Sequence, residues 1–256
     1  MLHQARTVIS NKATKGEKTS DVETVFSALL DSDLPPGELQ AVRLQHEAIS
    51  LVGAGIDTTK RALSVATFHI LFNHPVRTRL MRELLDTIPD HSQIPKLAEL
   101  QKLPYLSAVI EETLRLSYGT SQRNTRVPPT APAKYGKYTL PAGTEISMST
   151  YSIAHNEYLF PNSFIFDPER WLHNPIASTS GKPLSRYMVS FGRGNRMCLG
   201  MHLAYAELVL GLASVLRRFG ERMELFETGR EDVELAHDMF MPQPRKGSQG
   251  VRVMIK

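Results

Sequence analysis

Cysteine is nearly absent: the chain has one, Cys198. A single thiol excludes any disulfide within the chain, so no bridge reports a redox compartment. Tryptophan is also single, at Trp171. There is no run of about 18 apolar residues, so no segment reads as a membrane-spanning helix. Residues 1–18 are polar and lack the apolar centre of a secretory leader. The formal net charge is +4, but no run of Lys and Arg concentrates it. No basic stripe with interleaved aromatics marks a nucleic-acid surface. No internal repeat or low-complexity tract is visible. At 41% hydrophobic and 22% charged, the 256 residues read as an ordinary globular chain with one large core or two smaller ones.

What is present centres on that one cysteine. Phe191-Gly-Arg-Gly-Asn-Arg-Met-Cys198-Leu-Gly200 places it among three glycines and two arginines, just before a helical pattern. Gly192, Gly194 and Gly200 permit sharp turns and close approach to a flat ring. Arg193 and Arg196 can offset carboxylates or lower a thiol pKa. The N–H groups at the start of a helix favour an anionic sulfur. A thiolate is in turn a strong ligand for haem iron. A lone cysteine is also often a small buried packing residue, but packing needs neither glycines nor arginines around it.

The spacing of Phe191, Gly194, Arg196, Cys198 and Gly200 resembles the haem-binding loop of the cytochrome P-450 family. Three further strings occur in the family's order. Ala54-Gly-Ile-Asp57-Thr58-Thr59 lies in a long helical pattern in which Val42, Ile49, Val52, Ile56, Leu63, Ala66 and Ile70 mark one apolar face. Two mid-helix glycines there cost about 1 kcal/mol each against Ala. Either close ligand approach or a helix crossing with small residues would account for them. Glu112-Thr-Leu-Arg115 lies on a helix opened by Pro104, whose inward stripe is Leu106, Val109, Ile110, Thr113 and Leu114. Glu112 and Arg115 fall off that stripe, where an exposed ion pair one turn apart is the plain alternative. Phe166-Asp167-Pro168-Glu169-Arg170-Trp171 is the third string. The helix after the loop reads as Leu199, Leu203, Ala206, Leu210 and Ala213 stepping by four and three.

The resemblance implies a mainly α protein with small β-sheets, a cytochrome P-450 fold truncated on its N-terminal side. Residues 1–20 are expected to be loosely ordered, and residues 21–256 to form the C-terminal part of one such domain. The distal helix is expected at about 38–72, the Glu-x-x-Arg helix at 104–117, the cysteine loop at 191–200 and the proximal helix at 199–219. The implied activity is a haem-thiolate monooxygenase inserting one oxygen atom into an apolar substrate, with haem b held through Cys198 as iron ligand. Phe191, Gly194, Arg196 and Gly200 belong to the cofactor loop. Arg196 is implied as a haem-propionate contact and Arg123 as a second, with Arg126 its competitor. Asp57 and Thr58 are implied to deliver protons. Glu112, Arg115 and Arg170 are implied to be structural: one carboxylate shared by two guanidinium forks. Electrons would come from an NADPH-dependent flavoprotein reductase, and family members of this type sit on the endoplasmic reticulum through an N-terminal anchor. The segment Leu114-Arg-Leu-Ser-Tyr-Gly-Thr120, with Arg123 and Arg126, is similar to fungal secondary-metabolism members. The alternative is a non-catalytic fragment without a complete haem and substrate pocket. The nine histidines are scattered, and even His155-Asn-Glu157 is a poor metal cluster.

Local signals complete the reading. Residues 21–30 read as a short helix with Asp21 as its cap. Pro35-Pro36-Gly37 is a turn. Val76, Leu80, Leu84 and Ile88 recur every four residues after Pro75, and prolines 89 and 95 break that helix. Strands are expected at Tyr138–Leu140 and 145–148, around a turn with Pro141 second and Gly143 fourth. Further strands are expected at 223–226 and 251–255. Residues 172–189 read as a long irregular connection.

Overall fold

The computed structural model describes residues 24–256 except 91, 94 and 174. The expectations for residues 1–20 and for Asp21 as a cap lie outside the described residues. The chain divides into two compact units, residues 1–57 and 58–256. The boundary falls inside one long helix.

In the first unit, α1 (Val25–Leu30) is capped by Thr24. The Thr24 hydroxyl accepts from the Ser27 N–H at 3.1 Å, and the Ser27 hydroxyl accepts from the Thr24 N–H at 2.7 Å. This reciprocal pair satisfies two donors that a helix start leaves orphaned. A 3-10 turn over Pro36–Leu39 precedes α2 (Ala41–Phe72). The expected apolar face of α2 is only partly buried. Val42, Ile49, Val52 and Ile56 are exposed, whereas Ala66 and Ile70 are buried. The buried residues of that face belong to the second unit, where they join its core.

That core gathers Ala62, Val65, Phe68 and Ile70 of α2 with residues of three other long helices. In α3 (His74–Thr87), Val76, Leu80 and Leu84 face inward, and Ile88 closes the stripe beyond its end. Asn73 caps it, accepting from the Val76 N–H. After the short α4 (Leu97–Leu100) comes α5 (Pro104–Ser117). Pro104 suits the first turn because its missing N–H would have no partner there. The free N–H groups of Tyr105 and Leu106 donate to the Glu83 carboxylate from α3, at 2.9 and 2.8 Å. α5 is buried on nearly every side, as a helix in the centre of a packed layer must be. It packs against α3 and, beyond the short α6 (Thr150–Ala154) in sequence, against α7 (Met201–Phe219). Each fully buried Leu in this layer contributes about 1.5–3 kcal/mol.

The apolar residues of α7 divide along its length. Leu208, Val209, Leu212, Ala213 and Leu216 are buried, while Leu199 and Leu203 are exposed. The fully buried residues lie in the later turns of α7, while Tyr205 in its second turn packs half-buried against the same core.

Among the described residues the strands form three two-stranded antiparallel sheets. β1 (Ala133–Tyr135) pairs with β2 (Tyr138–Leu140). β3 (Met223–Leu225) pairs with β6 (Val253–Ile255), and β4 (His237–Met239) with β5 (Met241–Gln243). The expected strand at 145–148 is a single bridge, Ile146 to Arg126. Pro128 and Pro129 follow Arg126 and carry no N–H to extend a ladder. The turn there runs one residue later than expected. The Thr144 N–H donates to the Pro141 carbonyl, which puts Gly143, at φ +83°, in third position. β4 and β5 have no counterpart in the sequence reading. The connection over 172–189 is packed rather than loose: Ala177 and Leu184 form a second small core with Phe160.

Candidate functional site

The cysteine loop is built from its glycines. Gly192 and Gly194 stand at φ +70° and +76°, a region that residues with a Cβ rarely enter. A 3-10 turn, Gly194–Arg196, follows. The chain then closes back on itself, with the Cys198 N–H donating to the Phe191 carbonyl at 2.9 Å. Gly200 occupies the N-cap of α7 with no side-chain cap. Arg193 is spent on structure, its guanidinium donating to the carbonyls of Ser185, Arg186 and Met188. Arg196 is exposed.

Cys198 is a free and exposed thiol, not a packing residue. Its neighbours are apolar and also open: Leu199 is 89% exposed, Leu203 63% and Met197 47%. A Cβ added at Gly194 or Gly200 would meet nothing within 4 Å among the described residues. A soft sulfur donor in an open, largely apolar surface fits a flat, largely apolar metal macrocycle held from one side.

The loop is anchored upstream against the end of α5. Tyr118 and Gly119 both stand at φ +64°, which turns the chain sharply after Ser117. A Cβ on Gly119 would come within 2.1 Å of the Ser190 carbonyl oxygen. The Ser190 hydroxyl donates to the Leu114 carbonyl at 2.7 Å.

Glu112, Arg115 and Arg170 come together in the interior. Glu112 is completely buried and accepts five hydrogen bonds. One oxygen takes Arg115 Nη2 at 2.7 Å, the Asp167 N–H at 2.9 Å and Arg170 Nε at 3.0 Å. The other takes Arg115 Nε at 2.9 Å and Trp171 Nε1 at 2.8 Å. Arg115 also donates to the carbonyls of Ala154, Ser163 and Ile165. Burial alone would push the Glu112 carboxyl up. The Arg115 hydrogen bonds and the charges of Arg115 and Arg170 outweigh it and hold the pKa below the ordinary value. The exposed-pair alternative is therefore excluded. The sequence assigns Trp171 no role in this cluster, although the chain's only Trp directly follows Arg170. Beside this cluster, His155 shares a hydrogen bond with the Tyr118 hydroxyl at 2.8 Å and stacks on Phe164. Burial lowers its pKa to about 4, and the Arg115 charge adds to the effect.

Asp57 and Thr58 are consecutive on α2, the first exposed and the second half-buried. Asp57 closes the first unit and Thr58 opens the second. An added Cβ at Gly53 or Gly55 would meet nothing within 4 Å among the described residues. The next hydroxyl, Thr59, donates to Glu207 of α7 at 3.1 Å. Arg123 is exposed in the loop after α5, and Arg126 carries the backbone bridge to Ile146.

A family model described as Cytochrome P450 matches residues 3–248. The chain belongs to the cytochrome P450 family. Its relatives include a cytochrome P450 monooxygenase of Eupenicillium brefeldianum, 45% identical over 94% of this chain and 48% of the relative. One of Sordaria araneosa is 43% identical over 91% of this chain and 44% of the relative. One of Ascocoryne sarcoides is 44% identical over 97% of this chain and 48% of the relative. The chain spans about half the length of the curated relatives it matches. Membership of the P450 family implies a haem iron held by a cysteine thiolate, and Cys198 is this chain's only cysteine. The helical architecture with small antiparallel sheets accords with part of that fold. No described helix is long and apolar enough to cross a membrane.

Proposed function

We propose that this chain carries the thiolate half of a monooxygenase site, in which Cys198 holds haem iron. The observation supporting this most is the open thiol on a glycine-built loop, with its N–H closed onto Phe191 and apolar residues on either side. Haem bound there would supply dioxygen activation and insertion of one oxygen atom into an apolar substrate. The chain's own residues have separate tasks. The Cys198 sulfur donates charge to the metal. Arg196, and Arg123 from the loop after α5, neutralise the propionates. Asp57 and the Thr58 hydroxyl hold water and hand protons toward the distal side. Glu112, Arg115 and Arg170 do no chemistry; they lock α5 to the segment that leads into the cysteine loop. The electron donor is an NADPH-dependent flavoprotein reductase, the substrate a fungal secondary metabolite, and the setting the endoplasmic reticulum surface.

A second reading is favoured by the exposed Val42, Ile49, Val52 and Ile56 of α2. In it, the chain holds haem only when another polypeptide covers that apolar face, and it does no oxygenation alone. The reduced, carbon-monoxide-bound spectrum of the purified chain supplied with haem separates the two. A strongly red-shifted Soret band that is lost in Cys198→Ala supports the first reading. No haem uptake supports the second. A band unchanged in Cys198→Ala would show that the thiol is not the ligand.

A further inference from the structure

Glu111 and Tyr205 have no part in the site described so far, yet they link its two main helices. The Tyr205 hydroxyl, on the second turn of α7, donates to Glu111 Oε1 on α5 at 2.8 Å. Both groups are partly buried. Burial raises the Glu111 carboxyl pKa, with the Tyr205 hydrogen bond opposing it. Burial, with the Glu111 charge beside it, raises the phenol. A carboxylate and a phenol withdrawn from water are held there only if they serve each other.

The Tyr205 ring does a second thing. It packs against the Phe191 ring, with centroids 5.4 Å apart. Phe191 is the residue whose carbonyl accepts the Cys198 N–H at 2.9 Å. A chain of direct contacts therefore runs from α5 through Glu111, Tyr205 and Phe191 to the backbone of Cys198. Upstream, the loop is fixed by Ser190 on Leu114 and by Arg193 on three carbonyls. Downstream, the open glycines leave the loop few other restraints.

We propose that the Glu111–Tyr205 hydrogen bond is a tether that positions the Cys198 loop on α7 by pressing the Tyr205 ring against Phe191. Tyr205 and Glu111 are positioning residues and touch neither thiol nor haem. The functional meaning of the tether rests on Cys198 being the metal ligand, but its mechanical action does not.

The test is amide hydrogen exchange at Cys198 in the purified chain without haem. In Tyr205→Phe the ring remains and the hydroxyl is gone, so exchange at the Cys198 amide should rise about tenfold, the equivalent of one lost hydrogen bond. Glu111→Gln keeps an acceptor oxygen and should leave that amide at the wild-type rate. Leu84→Ala, in the core away from the loop, controls for general destabilisation. Cys198 exchange in Tyr205→Phe no faster than in Leu84→Ala would overturn the proposal. So would Glu111→Gln behaving like Tyr205→Phe. If Tyr205→Phe does not fold, Phe191→Leu removes the ring contact and leaves the hydrogen bond. The same rise is then expected, and its absence counts against the tether. The carbon-monoxide spectrum of the haem-supplied wild type is read separately. Its failure would remove the ligand assignment and leave the exchange result standing.

Discussion

Replacing Glu112 by Gln removes one charge from a site with no access to solvent, and the cost can be worked from its five hydrogen bonds. A Gln amide has one acceptor oxygen. Placed with that oxygen toward Arg115 Nη2, Asp167 N–H and Arg170 Nε, it turns its NH2 onto Arg115 Nε and Trp171 Nε1. Two buried donors then face a donor. The flipped amide orphans three. The guanidiniums of Arg115 and Arg170 also lose their shared counter-ion. Breaking such a buried pair costs about 3–5 kcal/mol. For a chain of this size that is a fall in Tm of roughly 10 °C. The assay is urea unfolding followed by Trp171 fluorescence, since the single Trp sits on the mutated carboxylate. The pH dependence gives a second check. Glu112 has a lowered pKa in the folded state, so its contribution is complete above the ordinary Glu value of 4.5 and is lost as pH falls through the folded pKa. The gap between wild type and Glu112→Gln should therefore narrow in acid. A loss below about 1 kcal/mol at pH 7, or a gap that widens in acid, would refute the reasoning.

Two further outcomes are expected. His69 is buried and stacked on Phe166, and burial together with the nearby Arg230 charge lowers its pKa from 6.5 to about 4. Its contribution is complete above pH 6.5 and falls toward pH 4, by up to about 3 kcal/mol. His69→Phe should flatten the stability profile between those values; a profile as steep as wild type contradicts this. Gly119→Ala brings a Cβ to 2.1 Å from the Ser190 carbonyl at φ +64°. It should cost at least about 2 kcal/mol in unfolding measurements, from strain plus steric overlap. A neutral substitution would mean that this close approach does not exist in solution.

The readings that held rest on local chemistry. Pro104 and the apolar stripe it precedes placed α5 at 104–117, and the spacing after Pro75 placed α3, because a helix start and a periodic face are written in neighbouring residues. The glycines around Cys198 announced the turns that Gly192 and Gly194 make. What local chemistry could not decide needed partners distant in sequence. Leu199 and Leu203 step in register with Ala206, Leu210 and Ala213 yet are exposed, because periodicity shows that a helix has an apolar face and not which of its turns meets another helix. Glu112 and Arg115 look like a solvated pair on a helical wheel alone, and only the family resemblance joined Arg170 to them, as the structure does. Their burial depends on Asp167, Arg170 and Trp171 arriving more than fifty residues later.

The sequence by itself determined the family, the lone thiol, the glycine loop that presents it and the helices on either side, since each is a matter of residue type at short spacing. Only the tertiary structure decided which carboxylate would be sealed from water and that the one thiol would be left open to it. It alone brought Tyr205 within reach of Glu111, two residues 94 apart in the chain. Burial and long-range hydrogen bonds are properties of packed surfaces, and no single segment of the sequence contains them.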